Sequence, residues 1–340
     1  MTMLRRISLT CLLTAAFSLP AAAEELVVAT FGGTFVDNSK KCHATAFEKA
    51  TGATVKYVLG SSVQTAAKMR AAGARSEFDV AYMDSQIVKQ AKAEGLLQPL
   101  EPAKIEYWND LYDASRDRDG YWVSLMFAGT IITYNTNLVK TPPQSWADLW
   151  KPEWKGKLAI PDISGTSGQQ FLMAAARLNG GSIEAIDPGF EAIKKLKPNV
   201  QMMYTQPDQI IPLFERGDIA LAVWYTDRTG AAAAKGVPVA AAYPKEGAIG
   251  IVPTVAVPKA SPKRDLAQKY IGALLSPEGQ LCFAQSQFAG PSNRKVKLPA
   301  DLAKLVPYGD VVQQMYFPDT DFVAKKFPEW SERWGREIAR

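Results

Sequence analysis

A loop of small hydroxyl residues and glycine joins a short apolar segment to a helical pattern near the middle of the chain. Residues 158–160 predict a buried strand, residues 164–168 read Ser-Gly-Thr-Ser-Gly, and residues 169–177 predict a helix. Such a loop directs free backbone N–H groups and the positive end of the helix dipole towards one point. That point suits a carboxylate, a phosphate or another hydrogen-bond acceptor. Helix capping by Ser164 or Thr166 is the simpler use of the same residues.

Short polar residues also follow three predicted strands nearer the N-terminus, at residues 26–30, 54–59 and 78–83. In chain order, the polar pairs are Gly33 and Thr34, Ser61 and Ser62, and Asp84 and Ser85. Helical patterns separate the strands, and this βαβαβα order predicts a parallel sheet with helices on its faces. Because ligands of such sheets bind at the carboxyl ends of the strands, these pairs predict a site for a small molecule.

The residues needed for common enzyme chemistry are missing from these loops. The single histidine, His43, lies beside Cys42 on a predicted helix, where a surface or packing role is expected. The serines at 164–168 lack the G-x-S-x-G pattern of a nucleophile, and there is no phosphate-binding or dinucleotide-binding glycine motif. We therefore expect recognition rather than catalysis, with no metal and no cofactor. An exported hydrolase remains the alternative from another functional class.

The N-terminus predicts export. Residues 1–6 are basic, residues 7–19 are apolar, and residues 21–23 are alanines, as in a secretory signal peptide cleaved after residue 23. Cleavage removes Arg5 and Arg6 and no acid, which lowers the net charge from +5 to +3. This small excess gives no basic patch for nucleic acid, and no later segment is apolar enough to span a membrane. The expected product is a soluble periplasmic protein.

Length and composition predict two domains with substantial cores, since 47% of the 340 residues are hydrophobic. Two cysteines remain after cleavage, Cys42 and Cys282. In an oxidising compartment a disulfide between them is favoured over two buried free thiols. The second half of the chain adds further predicted strands at 130–134, 218–224, 237–243 and 249–257, and a terminal helix within 317–340. The fold class is α/β.

The order of short landmarks along the mature chain resembles the periplasmic solute-binding proteins of ABC importers, nearest the putrescine/spermidine receptors and related to the ferric-iron receptors. Each landmark is weak alone, and their shared order carries the resemblance. They are Phe47, Thr51, Gly52 and Val55, residues 78–80, Gly129, Thr130, Tyr134 and Asn135, Ser145 and Trp146, and residues 154–157, 216–220, 244–247 and 276–280.

The resemblance implies a two-lobed, type II-like fold with two mixed sheets and one ligand in the cleft between the lobes. Residues 130–135 would form the first crossing between lobes and residues 252–257 the second. The first lobe would contain residues 24–130 with 256–298. The second would contain residues 131–255 with 299–340. The implied partners are a small-molecule ligand and an inner-membrane permease, and the expected state is a monomer.

Polyamine receptors hold an amine with a tryptophan and an aspartate three residues later, and Trp224 and Asp227 match this pattern. A cation on an indole face near a carboxylate is sound recognition chemistry. The chain departs from diamine receptors at the first loop, which lacks their Trp-Ser-Asp pattern, and at Pro253, where they place a second aspartate. Besides the polar pairs listed above, the expected ligand-binding residues are Thr130, Thr166, Ser167, Trp224, Tyr225, Asp227, Arg228 and Glu246.

Arg228 changes the expected ligand, because an arginine pairs bidentately with a carboxylate. With Asp227 or Asp84 meeting an amine, the residues favour a 4-aminobutyrate-like ω-amino acid over a plain diamine. The alternative for Arg228, with equal weight, is that its side chain faces solvent and does not bind the ligand. The alternative for Trp224 is that it packs in the core. A phosphonate or thiamine-like ligand also fits the fold. Ferric iron is less favoured, because iron receptors use adjacent tyrosines and this chain offers only Tyr225.

Overall fold

The computed structural model describes residues 23–73 and 75–339 of the chain. The predicted signal peptide lies outside this part except for Ala23. Within the described residues, no helix combines the length and the apolar character needed to cross a membrane.

The strands alternate with helices in the first part of the chain, as the sequence predicts. The strands are β1 (Glu25–Thr30), β2 (Thr54–Leu59), β3 (Val80–Asp84), β4 (Leu97–Gln98), β5 (Trp122–Ser124), β6 (Met126–Asn135), β7 (Leu158–Pro161), β8 (Val200–Tyr204), β9 (Leu221–Tyr225), β10 (Val239–Ala242), β11 (Ile249–Ile251), β12 (Pro253–Pro258) and β13 (Gly290–Pro291).

The helices are mostly short and cover the faces of the sheets. They are α1 (Thr34–Ser39), α2 (Thr45–Thr51), α3 (Ser62–Ala71), α4 (Ser85–Ala93), α5 (Thr166–Leu178), α6 (Asp187–Leu196), α7 (Ile211–Arg216), α8 (Thr226–Ala234), α9 (Arg264–Leu275), α10 (Pro277–Gln287), α11 (Ala300–Ala303), α12 (Asp310–Gln314) and α13 (Thr320–Glu337). A π-helical turn, Lys40–Ala44, joins α1 to α2, so this helical segment begins earlier than the predicted residue 42.

Two mixed sheets form the framework. The first has the order β2-β1-β3-β12-β4, with β5 paired to β12, and its first three strands are parallel. The second has the order β10-β6-β9-β7-β8, with β11 and β13 paired to β6. Because β8, β7 and β9 are parallel to one another, their carboxyl ends also lie at one edge. The predicted pair of mixed sheets is confirmed.

The chain passes from the first sheet to the second between β5 and β6 and returns to the first between β11 and β12, inside the predicted strand 249–257. Ser124 pairs with β12 of the first sheet, whereas Met126 pairs with β13 of the second. Ile251 pairs with β6, and Pro253 pairs with Asp84 of the first sheet. The crossings therefore lie at about residues 125 and 252. The first is earlier than the predicted 130–135, and the second falls at the start of the predicted 252–257. The lobe boundaries at 130 and 256 stay predictions.

A disulfide bond joins Cys42, in the π-helical turn, to Cys282 in α10, as the sequence predicts. The adjacent His43 is fully buried, and its ring stacks on Phe283 with the centroids 4.9 Å apart. Burial lowers the pKa of His43 to about 3. The histidine is therefore neutral in the folded protein, and the stability this gives is lost as the pH falls below 6.5, where the unfolded chain becomes protonated. His43 is a packing residue.

The C-terminal helix α13 packs on the second sheet through Trp330 and Trp334, which are buried in the same core as α5 and α6. The indole N–H of Trp334 donates to Asp162, directly after β7. This contact fixes the end of the chain beside the loop that precedes α5. Helix α13 also contacts α4, which packs on the first sheet, so this helix touches elements of both lobes.

Candidate functional site

The carboxyl edges of the two sheets meet at a cleft with a cavity of about 300 Å³. The crossing strands β6, β11 and β12 supply part of its wall. Its lining residues are Phe31, Phe35, Asp84, Ser85, Gln86, Met126, Ala128, Thr166, Gln170, Pro207, Tyr225, Asp227, Arg228, Gly250, Ile251, Pro253, Gln287, Pro318 and Thr320. The structure thus brings six of the predicted residues together: Asp84, Ser85, Thr166, Tyr225, Asp227 and Arg228.

Asp84 ends β3 and brings a carboxylate to the cleft from the first sheet. The hydroxyl of Ser62 donates to its Oδ2 over 2.8 Å and accepts from its backbone N–H over 3.0 Å. Although the side chain is exposed, the concave walls reduce its hydration and raise its pKa, while the hydrogen bond from Ser62 opposes the rise. Ser62 itself is buried, so it positions Asp84 and does not line the cleft.

Asp227 and Arg228 open α8 and reach the cleft from the second sheet. Loss of hydration raises the pKa of the half-buried Asp227, and the neighbouring guanidinium of Arg228 opposes this rise. The Arg228 side chain is 49% exposed, and its Nη1 lies 3.4 Å from Oδ1 of Asp208. Asp227 and Arg228 are both among the residues that line the cavity, although the Arg228 side chain is half exposed and paired with the exposed Asp208.

The Ser-Gly-Thr-Ser-Gly loop starts α5 at the cleft, but part of its donor capacity is used internally. The backbone N–H of Ser167 donates to the hydroxyl of Tyr225 over 3.0 Å, and burial raises the pKa of that phenol. Ser164 instead pairs with Asp162 in a tight turn, so neither Ser164 nor Thr166 caps the helix. Gly168 is required here, because a Cβ atom would lie 2.0 Å from the carbonyl oxygen of Asp162.

Trp224 corrects the expectation of a stacking residue. Its side chain is 0% exposed and packs in the core with Phe214, Tyr204 and residues of α8. Successive side chains of a strand point to opposite faces, and the face that carries Trp224 is covered by helices α7 and α8. Tyr225, the next residue, lines the cleft instead. The match of Trp224 and Asp227 to the receptor pattern therefore places only the aspartate at the cleft.

Several other predicted residues serve the framework rather than the cleft. Glu246 accepts from the hydroxyl of Ser145 and the backbone N–H of Trp146, which fixes a turn of the second lobe. Ser61 caps α3 in a reciprocal pair with Gln64. Gly33 precedes α1 with φ 66°, and neither it nor Thr34 lines the cavity. Thr130 is buried and donates to Gln170 over 2.5 Å.

Several lining residues were not predicted, because they share no common sequence pattern. Phe31 and Phe35 bracket the first loop, Gln287 ends α10, and Thr320 begins α13. Gln170 lies one helical turn after Thr166, where the hydroxyl of Thr130 and the carbonyl of Gly250 hold its amide. Helical spacing from the predicted loop could have identified Gln170. Among the described residues, no group of three or more His, Cys, Asp or Glu could hold a metal ion.

Comparison with known proteins agrees with this architecture. A family model described as bacterial extracellular solute-binding protein matches residues 43–307. A solved structure of an ABC transporter from Clostridium perfringens superposes with a TM-score of 0.81 at 28% sequence identity, covering 92% of this chain and 99% of that chain. The two-lobed periplasmic binding protein fold predicted from the sequence is confirmed.

Two curated relatives are informative about the site. The spermidine/putrescine-binding periplasmic protein of Escherichia coli is 27% identical over 245 residues, covering 68% of each chain. The gamma-aminobutyric acid-binding protein of Pseudomonas aeruginosa is 25% identical over 339 residues, covering 92% of each chain. The family match spans most of the sequence, and the chain belongs to the family of bacterial extracellular solute-binding proteins.

Proposed function

We propose that this protein is the substrate-binding component of an ABC importer and that it captures an ω-amino acid of the 4-aminobutyrate type. The observation that carries the proposal is the charge pattern of the cleft. Carboxylates approach from both sheet edges, at Asp84 and Asp227, and a single guanidinium, Arg228, lies beside them. A short zwitterion can satisfy both signs of charge within a cavity of about 300 Å³.

The ammonium end of the ligand is assigned to Asp227, with Asp84 on the facing edge. Reduced hydration raises the pKa of both carboxyl groups, and an arriving ammonium stabilises their ionised forms. The side chains of Phe31, Phe35 and Met126 supply apolar surface for the methylene chain between the two ends. Because Trp224 is buried, the methylenes and not an indole face provide the apolar contact.

The carboxylate end is assigned to Arg228. Its present partner, Asp208, is exposed and 3.4 Å away, which is a weak surface pair that a ligand carboxylate can replace. Pro253 lines the cavity and pairs with Asp84 in the first sheet, at the position where a diamine receptor would place a second aspartate. The relative named for gamma-aminobutyric acid binding matches a larger share of the chain than the spermidine/putrescine-binding one.

A polyamine is the second candidate, and the presence of two cleft carboxylates favours it. In that case Asp84 and Asp227 would each hold an ammonium, and Arg228 would remain paired with Asp208. Ferric iron has less support, because the phenol of Tyr225 is committed to the Ser167 N–H and burial raises its pKa. Because the loop before α5 suits an anion, a phosphonate is a further ligand to test.

The remaining parts of the proposal follow from the family. We place the mature protein in the periplasm after cleavage of residues 1–23, as a monomer that delivers its ligand to a membrane permease. The ligand is not chemically transformed. It contacts both lobes, and its higher affinity for the closed arrangement shifts the protein towards that state.

A thermal-shift screen of residues 24–340 tests the ligand assignment. The matched probes are 4-aminobutyrate, 1,4-diaminobutane and butanoate, with spermidine, 2-aminoethylphosphonate, thiamine and ferric citrate alongside. A micromolar ligand at millimolar concentration adds roughly 4 kcal/mol of stability, which raises the melting temperature by several degrees. We expect the shift with 4-aminobutyrate. A shift with 1,4-diaminobutane alone would replace it with the polyamine assignment.

Arg228→Gln provides the control within the site. If Arg228 binds the ligand carboxylate, the variant loses affinity for 4-aminobutyrate by about 2–4 kcal/mol. Asp208→Asn frees Arg228 from its present partner and is expected to preserve or improve binding. Equal affinities in wild type and Arg228→Gln would contradict the assignment of the carboxylate end.

A further inference from the structure

Gln287 ends helix α10 and lines the cleft from the side of the first sheet. The next residue, Phe288, packs against Gly230 of α8, so closely that a Cβ atom on Gly230 would lie 2.8 Å from Cβ of Phe288. Gly230 is two residues after Arg228. The end of α10 is therefore held against the helix that presents Arg228 to the cleft.

The hydrogen bonds of Asn38 determine which way the Gln287 amide faces. Asn38 Nδ2 donates to the backbone carbonyl of Ser286 over 3.2 Å and to Oε1 of Gln287 over 2.9 Å. A backbone carbonyl only accepts hydrogen bonds, so the atom of Asn38 that faces Ser286 must be its amide nitrogen. The atom of Gln287 that meets the same nitrogen must then be its oxygen.

This orientation leaves Nε2 as the unused end of the Gln287 amide. Among residues 23–73 and 75–339, none accepts a hydrogen bond from Nε2. An amide nitrogen carries two hydrogens and only donates, so it suits an acceptor in the ligand and not an ammonium. Gln287 therefore supplies a neutral donor to the same cleft as the guanidinium of Arg228.

We propose that Gln287 is a specificity-determining residue whose Nε2 donates to the ligand carboxylate from the first lobe, while Arg228 binds it from the second. This inference rests on the proposed function, because it requires a ligand with an acidic end. It also gives the carboxylate a contact on each lobe. A ligand that lacks this group loses one of the interactions that favour closure.

The disulfide supports this arrangement. Asn38 precedes Cys42 by four residues, and Ser286 follows Cys282 by four residues, so the disulfide and the Asn38 hydrogen bonds join the same two helical segments one turn apart. Asn38 is the positioning residue for Gln287, and the disulfide holds the segment that carries Asn38 against α10.

Gln287→Glu tests the inference with little change in shape. The glutamate keeps an oxygen facing Asn38 and replaces the donor in the cleft with a second, negatively charged oxygen. Isothermal titration of the mature protein with 4-aminobutyrate and 1,4-diaminobutane gives the ratio of their dissociation constants. We expect 4-aminobutyrate to bind at least about tenfold more weakly and 1,4-diaminobutane to bind equally well or more tightly.

Two controls separate this effect from general charge and from misfolding. Gln285→Glu adds the same charge on α10, two residues before Gln287, at an exposed position that does not line the cavity, and should leave the preference between the two probes close to that of the wild type. Gln287→Met removes the donor without adding charge, and should weaken 4-aminobutyrate binding about threefold to tenfold with no gain for the diamine. Melting temperatures without ligand report whether each variant folds.

The outcomes distinguish the two proposals. A wild type that binds 4-aminobutyrate, with an unchanged preference in Gln287→Glu and Gln287→Met, overturns the role of Gln287 and leaves the ligand proposal intact. The same shift in Gln285→Glu as in Gln287→Glu also overturns it, because the effect would then be one of net charge. A wild type that binds only 1,4-diaminobutane overturns the ligand proposal and the donor role together.

Discussion

At the edge of the first sheet most of the polar side chains bind within the protein, whereas at the edge of the second sheet charged side chains extend into the cleft. Ser61 caps α3, and Ser62 holds Asp84. Among the described residues that line the cavity, Asp84 is the ionisable group that the first edge contributes. At the second edge Asp227 and Arg228 line the cleft side by side. Loops of the same kind, each following a strand, thus present few charged side chains to the cleft at the first edge and more at the second.

The difference arises from the reach of the side chains. A serine or threonine hydroxyl lies close to the backbone, where the free N–H groups of the following helix compete for it. Thr226 illustrates this at the second edge, because its hydroxyl accepts from the N–H of Gly129 on the crossing strand. Longer charged side chains extend beyond these local partners. They are therefore the better predictors of ligand contact at a strand end.

Trp224→Ala is expected to have the largest effect on stability. It tests whether Trp224 belongs to the core while its neighbours Tyr225 and Asp227 line the cleft. Removal of this buried indole should destabilise the protein by about 3–5 kcal/mol and lower the melting temperature by several degrees. The milder Trp224→Phe should keep ligand affinity close to that of the wild type, measured by titration calorimetry. Lost ligand affinity with an unchanged melting temperature would mean that Trp224 contacts the ligand and is not a core residue.

Asp227→Asn compared with Glu246→Gln tests which predicted carboxylate serves the ligand. Asp227→Asn should weaken the binding of an amine by about 2–4 kcal/mol, because the ammonium loses its charged partner. It should not lower the melting temperature without ligand. Glu246→Gln should do the reverse, with unchanged affinity and a loss of about 1–2 kcal/mol of stability from the turn at Ser145. Equal effects on affinity would mean that Glu246 contributes to ligand binding as much as Asp227 does.

Ligand affinity is expected to depend on pH through two carboxyl groups, Asp84 at the first sheet edge and Asp227 at the second. The pKa values of Asp84 and Asp227 are raised, so both lose their charge on acidification earlier than ordinary carboxyl groups. Affinity for an amine should therefore fall on acidification, and the fall should begin at a higher pH than ordinary carboxyl groups would give. Their effect on stability has the opposite sign, because a raised folded pKa stabilises the protein at low pH and this contribution is lost as the pH rises.

Titrations at decreasing pH with Asp84→Asn and Asp227→Asn show which edge dominates. Each variant should lose part of the pH dependence, and the larger loss identifies the carboxylate that holds the ammonium. Affinity that stays constant on acidification in the wild type would argue against an ionised carboxylate as the partner of the ligand.

Ser62→Ala and Ser61→Ala are expected to have the smallest effects, and they compare two adjacent serines at the first sheet edge. Ser62→Ala removes the hydrogen bond to Asp84 and should weaken ligand binding by about 1 kcal/mol. Ser61→Ala removes a helix cap and should reduce stability by about 0.5–2 kcal/mol with no change in affinity. Calorimetric titration and thermal melting of the two variants separate these outcomes. Identical behaviour would contradict the assignment of Ser62 as the residue that positions Asp84.

Much of the fold could be predicted from local patterns. Residues 54–59 were predicted as a strand and form β2, and the Asp84-Ser85 junction was predicted to begin a helix and begins α4. Apolar runs of strand length bounded by glycine and polar residues determine such elements locally. The run at 249–257 was predicted as one strand, but it is divided at Val252, because each half pairs with a different sheet.

The candidate site could be predicted only in part. Asp84 was predicted because it follows a strand, whereas Asp227 and its neighbour Arg228 were predicted from the resemblance to the polyamine receptors. Gln287 and Thr320 were not, because they reach the cleft from helix ends far along the chain. Glu246 was expected to bind the ligand, but it meets the N–H of Trp146 on a part of the second lobe away from the cleft.

The sequence by itself determined the alternation of strands and helices, the two cysteines that pair and the family to which the chain belongs. These depend on residue type and order, which local physical chemistry converts directly into structure. Only the tertiary structure decided that Tyr225 rather than Trp224 faces the cleft and that Asn38 orients Gln287. Such outcomes depend on which face of a strand the helices cover and on contacts between residues up to about 250 positions apart, such as Asn38 and Gln287.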